Sequence, residues 1–220
     1  MGQLLLVRHG QASFGGSDYD VLSALGERQA AVLGESLARR GVAPAVVVHG
    51  QMQRQRRTAE VLAAAAGWDA PLECDPAWDE MNHVEVLSRT PAPAPADGRN
   101  PSPREFQAWF EAATDRWIGG GADDDYSETF GDFTDRVQRA LARAAGRTDA
   151  GTLLAVTSGG PVSWVVTHLL AAGTDSYRRL TPVVVNSSVT KVVSGERGLS
   201  LVSFNDHAHL EADPELLTYR

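Results

Sequence analysis

The sequence predicts an α/β fold: three layers, α/β/α, around a mostly parallel central sheet, with an inserted lid region. Three observations carry this expectation. "QLLLV" (3–7), "PAVVVHG" (44–50) and "TLLAVT" (152–157) are short continuous apolar runs, the pattern of strands buried on both faces. A helical segment follows each of them in the sequence. Strands that alternate with helices need crossover connections, and crossovers give parallel pairing.

The elements follow in order. After the first strand comes a turn-rich loop, "RHGQASFGGSDYD", then the amphipathic segment "LSALGERQAAVLGESLARRG". Ser23 suits its N-cap and Gly41 its left-handed stop. Leu25, Val32, Leu33 and Leu37 form its apolar face. "QRQRRTAEVLAAAAG" is the next helix, ending at Gly67, and "APLECDP" (70–76) holds a short strand. From Trp78 to about Tyr126 the alternation breaks. "TPAPAPADGRNPSP" (90–103) is too proline-rich for a central strand or helix, "PREFQAWFEAATDRWIGGG" is a helix, and "IGGGADDDYSE" a second loop. We read 1–220 as one domain with a lid inserted at about 78–126. "TFGDFTDRVQRALARAAG" returns to a strong helix. The strand 152–157 then leads through a glycine turn, 157–160, into a helix at 161–172. "PVVVNSSVTKVV" and "LSLVSFND" are two late strands joined across "SGERG".

Composition narrows the function. The chain has 220 residues, is 43% hydrophobic and 22% charged, and carries a net charge of −8. Such a balance disfavours nucleic acid as a partner, because phosphates along a strand need Lys/Arg neutralisation. The first apolar run is four residues, far short of the roughly 20 of a membrane span or the 7–15 of a signal peptide. A single cysteine, Cys74, excludes an intrachain disulfide and fits a reducing compartment. We therefore expect a cytoplasmic protein with no membrane partner. Oligomeric state stays open at this level.

In parallel sheets, ligands bind where strands end at their carboxyl termini. Three such ends are polar here: Arg8-His9-Gly10, the stretch from His49 to Arg54, and Thr157 to Gly160. If they converge, two arginines, a histidine and a glycine-rich turn at a helix N-terminus share one site. Arginine offers a planar fork of donors to phosphoryl oxygens, and helix N-termini favour anions. The expected partner is a small phosphorylated substrate. The six histidines show no spacing typical of a zinc site, so no metal or cofactor is expected.

"LLLVRHGQ" resembles the signature of the histidine phosphatase superfamily, the phosphoglycerate-mutase-like fold. "LSALGERQAAVLGESL" is similar to the family's first helix. "GQMQRQRRTAEVL" resembles its S-x-L-x-R-A-x-x-T-A segment and places Arg54 on the second phosphate arginine. "DPAWDEM" resembles the short element that supplies the proton donor and places it on Glu80. The resemblance implies nucleophilic attack by His9 on phosphorus, a phosphohistidine intermediate, and acid–base work by Glu80. Arg8, Arg54, Ser158 and Gly159 would hold the phosphate. An adjacent cation such as Arg8 lowers the pKa of an imidazole and favours the neutral nucleophile.

The chain departs from the family pattern at three places. Ser158 stands where most members carry a second histidine, Ala12 stands in place of a hydroxyl residue, and Gly15 in place of an asparagine. Ser158 keeps one neutral donor and loses a positive charge. Asp79 and Glu85 flank Glu80 as rival acids. His49, at the neighbouring strand end, either lines the mouth or approaches the space near Ser158. His83, His207 and His209 are read as structural, and His168 as a core or interface residue. Three functions remain in view: a metal-free phosphomonoesterase, a phosphoglycerate mutase, and a catalytically impaired phosphate-binding module.

Overall fold

In the computed structural model of the chain, residues 2–13, 20–93, 102–148 and 151–219 are described. Gly15 and most of the proline-rich loop 90–103 lie outside them. The elements are β1 (Gly2–Arg8), α1 (Ala24–Arg39), β2 (Pro44–His49), α2 (Gln53–Ala66), β3 (Leu72–Cys74), α3 (His83–Ser88), α4 (Pro103–Ile118), α5 (Phe130–Ala145), β4 (Thr152–Thr157), α6 (Gly159–Leu169), α7 (Thr174–Leu180), β5 (Val189–Gly195) and β6 (Gly198–Asp206). The strands form one six-stranded sheet in the order β3-β2-β4-β1-β5-β6. β3, β2, β4 and β1 run parallel; β5 and β6 add an antiparallel edge. The mostly parallel α/β sheet is the one its buried apolar strands require.

The chain forms two compact units, Met1–Asp79 with Val137–Arg220, and Glu80–Arg136. The larger unit contains the whole sheet. Alternation along the strands splits its core. Leu5, Val7, Val47, Leu154 and Val156 meet Leu33, Leu37, Ala59 and Leu62 from α1 and α2. Leu4, Leu6, Leu153 and Ala155 point the other way and are equally buried, and α6 packs on β1. β3 is an edge, and two ion pairs guard it: Arg147 holds Glu73 at 2.8 Å and Arg143 holds Asp75 at 2.7 Å.

Local signals explain the helix ends. Ser23 Oγ accepts from Gly26 N at 3.0 Å, as its N-cap role requires. Gly41 and Gly67 close α1 and α2 at φ +71° and +67°, a region that penalises any Cβ. In α1 the buried side chains are Gln29, Ala30, Leu33 and Leu37; Leu25 and Val32 are only half-buried, against Val185, Leu210 and Leu216. In the smaller unit, Ser102 and Glu105 cap α4 with a reciprocal box. Trp117 packs edge-on against Phe130 at 5.1 Å and Phe133 at 5.4 Å.

Three expectations need correction. The turn at Thr157–Gly160 is shorter than the glycines suggest: α6 starts at Gly159 and ends at Leu169. The first turn of a helix tolerates glycine, and Pro161 suits it because its missing N–H has no partner there anyway. The strand expected from Pro182 begins only at Val189. Asn205 takes the backbone instead, accepting from Val185 N and donating to Val183 O, both at 2.8 Å, and Ser187 breaks the extension at φ +59°. His168 is not a core residue. It is exposed in the last turn of α6. The short helices α3 and α7 had no signal in the sequence.

Candidate active site

β1 and β4 pair in parallel with Arg8 opposite Thr157, so both strands end at the same level. The chain then turns sharply. His9 N donates to Thr157 O at 2.8 Å, and Gly10 N donates to Thr58 Oγ1 of α2 at 3.0 Å. A Cβ at Gly10 would meet the carbonyl oxygen of Gly26, so only glycine lets this turn lie against the start of α1. On the other side, Asn186 Nδ2 donates to His9 O at 3.2 Å and Ser187 N donates to Arg8 O at 3.0 Å. The backbone of residues 8–10 is therefore pinned from both neighbours.

That backbone fixes the imidazole. His9 is 7% exposed, and its Nδ1 lies 2.6 Å from Gly10 O. A carbonyl only accepts, so Nδ1 carries the proton and Nε2 keeps its lone pair. Arg54 Nε donates to that lone pair at 3.1 Å. Burial first, then the charges of Arg54 and Arg8, push the His9 pKa well below the ordinary histidine range; the Gly10 hydrogen bond opposes them weakly. The ring is neutral at pH 7, and Nε2 faces the Arg54 guanidinium.

The cations have separate supports. Arg8 donates through Nη1 to Val184 O, and to Tyr219 O at 3.0 Å. Arg54 is 4% exposed, and a buried guanidinium needs acceptors. Asp20 supplies one, with Oδ1 2.7 Å from Nη1, while Asp20 Oδ2 accepts from Gln53 N at 2.8 Å. Arg56 and Arg57, by contrast, face solvent, as a solvated helix face would.

The N-terminus of α6 forms the third wall. A Cβ on Gly159 would lie 3.7 Å from Arg8 Nε, so the positive end of the helix sits against a guanidinium. Ser158 is 1% exposed at the N-cap position. Its Oγ accepts from Gln55 Nε2 at 2.8 Å. His49 is buried at the end of β2, its Nδ1 2.7 Å from Gly50 O. The same turn that orients His9 is thus repeated two strands away, beyond β4.

Arg8, His9, Arg54, Ser158 and Gly159 are thus gathered in the larger unit. Glu80 is the first residue of the smaller unit, half-buried, with its Oε1 accepting from Met81 N at 3.1 Å. Its rival Glu85 is committed: Ser127 N and Oγ both donate to it and hold its carboxyl below the usual range. Asp79 accepts from Gln51 N at 2.6 Å. Asp20, Gln55, Thr58 and Asn186 are site residues the sequence reading did not pick out. Thr58 had a signal, since it lies one helical turn beyond Arg54; the others gave none.

The family model for the histidine phosphatase superfamily, branch 1, matches residues 4–207. A Citrobacter koseri protein described as a probable phosphoglycerate mutase is 28% identical over 228 residues, covering 96% of each chain. Two solved structures share the fold with TM-scores of 0.68. One is YhfR of Bacillus stearothermophilus, 21% identical, covering 94% of this chain and 98% of that one. The other is a phosphoserine phosphatase mutant from Entamoeba histolytica in complex with phosphoserine, 16% identical, covering 96% and 100%. The match spans the sheet and every wall of the arginine–histidine site, and the chain belongs to the histidine phosphatase superfamily, branch 1.

Proposed function

We propose that the protein is a metal-free phosphatase that hydrolyses phosphomonoesters through a phosphohistidine on His9. One observation carries the reading: a buried, neutral imidazole with its Nε2 lone pair aimed at a guanidinium. A phosphate entering between Arg8 and Arg54 takes over their donors. Nε2 is then released to attack phosphorus, and the ester P–O bond breaks. Glu80 protonates the leaving alkoxide, then takes a proton from the water that attacks phosphohistidine. Inorganic phosphate leaves and the neutral His9 returns. The arginines neutralise charge on the equatorial oxygens, the largest demand in phosphoryl transfer.

A mutase reading has the Citrobacter koseri relative in its favour. It would want spare cations for an acidic three-carbon substrate in the lid. The stretch from 78 to 126 offers only Arg89, Arg99, Arg104 and Arg116 and no lysine, and two of these are engaged, Arg89 with Glu85 and Arg116 with Asp125, so we rank the mutase below the phosphatase. Ser158 motivates the third reading, binding without turnover.

The test is a rapid quench with a labelled phosphoester. Acid-labile phosphate is expected on the wild type and absent from His9→Ala, with release of inorganic phosphate. No label on the wild type, or equal label on both proteins, overturns the reading. Label that moves to 3-phosphoglycerate rather than to water assigns the mutase.

A further inference from the structure

We infer that Gln55 is a positioning residue that sets Ser158 as a hydroxyl donor to the phosphoryl group, and this rests on the phosphatase reading above. Gln55 is fully buried on α2, beside Arg54. A side-chain amide has two protons, and both are spent: Nε2 donates to Trp78 O at 3.2 Å and to Ser158 Oγ at 2.8 Å. The orientation is forced. The Trp78 carbonyl can only accept, and it also takes Thr157 Oγ1 at 2.5 Å. The amide oxygen, Oε1, lies on the opposite side, against Gly50, where a Cβ would collide with it. It has no hydrogen-bond partner.

Ser158 Oγ is therefore an acceptor toward Gln55, and its own proton is left over. An N-cap serine ordinarily accepts from an amide in the first helical turn. Here it caps none of them, and the third helical position is Pro161, which has no N–H to offer. The hydroxyl is thus freed from the helix and held by the amide. It sits at the end of β4, one residue from the Thr157 carbonyl that binds His9 N, and next to Gly159, which abuts Arg8. A donor already accepting a hydrogen bond is the stronger donor. The pair supplies a neutral, non-titrating donor in a site otherwise built from cations.

The experiment is a double-mutant cycle with Gln55→Met, which keeps the volume and removes both N–H groups, and Ser158→Ala. The probes are orthovanadate affinity and turnover of an aryl phosphate. Losing one preorganised donor costs on the order of 10²–10³ in kcat. Ser158→Ala is expected in that range and Gln55→Met at roughly ten- to a hundredfold, with KM little changed. The double variant is expected to be no slower than Ser158→Ala. Losses that multiply, or a Gln55→Met protein with unchanged kcat and vanadate affinity, overturn the inference. Gln55→Glu provides an isosteric second variant. When ionised, the introduced carboxylate takes the Ser158 proton; when protonated, it returns the donor, so vanadate affinity should rise as pH falls. Adding Ser158→Ala should abolish that rise; a rise that persists reports charge alone and overturns the proposal. A wild type that neither binds vanadate nor turns over sinks the phosphatase reading and this inference together. A wild type that does both, with multiplying losses, sinks only the inference.

Discussion

Arg54 makes three contacts that tie the site together. Its Nε faces His9, its Nη1 faces Asp20, and its backbone carbonyl accepts from Thr58 Oγ1 at 2.7 Å. A lysine has a point charge in place of the fork and cannot reach both side-chain acceptors. Arg54→Lys is expected to lower kcat by on the order of 10²-fold while the protein still folds, checked by steady-state turnover beside circular dichroism. An unchanged kcat would show that only its charge matters. Arg8, His9 and Arg54 were legible in the sequence because each stands at a boundary, where a strand ends or a helix begins. Gln55 was not. It reads as one more polar residue in "QRQRR", and its partners Trp78 and Ser158 lie 23 and 103 positions away. Asp20 was hidden for the same reason, since its partner Arg54 is 34 positions away.

Elements were read well where period and punctuation agreed. α1 has its stripe, its Ser23 cap and its Gly41 stop, and the sequence places all three. Ser23 also donates to Gln11 Oε1 at 3.0 Å, so the cap ties the helix start to the loop behind His9. Ser23→Ala should cost about 1 kcal/mol, measured by urea unfolding, with KM raised more than an ordinary cap mutation would raise it. Elements were misread where a rule was too general. Glycine disfavours helix interiors, yet Gly159 and Gly160 open α6. Valine favours strands, yet the valines at 183–185 are held by one asparagine side chain. α3 and α7 have six and seven residues, too few for a period to show.

At the scale of the whole molecule, the two units divide the proposed chemistry. Arg8, His9, Arg54 and Ser158 belong to the larger unit, Glu80 and the aromatic cluster to the smaller. Two histidines of the larger unit tie its stability to pH. Burial lowers His9 well below its ordinary value, and lowers His209 to about 4. Below about pH 6.5 the unfolded chain takes up protons that these native rings refuse. Stability is then complete above that pH and falls as pH drops toward 4, by at most about 1.4 kcal/mol per unit per histidine. Urea midpoints at pH 7.5 and 5.0 should differ accordingly, and His209→Gln should shrink the difference. Equal midpoints in the wild type would contradict the buried, neutral state of both rings. Among the described residues, no helix is long and apolar enough to cross a membrane.

The hydrogen bond from Arg54 to His9 Nε2 has a consequence for selectivity toward other reagents. A bare imidazole reacts with many carbon electrophiles, and an acylated nucleophile would be a dead one. Here the reactive lone pair carries its own protecting group, a guanidinium that only an anion can draw off. Neutral alkylating and acylating agents lack that key. On the phosphatase reading proposed above, the residue becomes nucleophilic in the presence of the one class of compound it attacks.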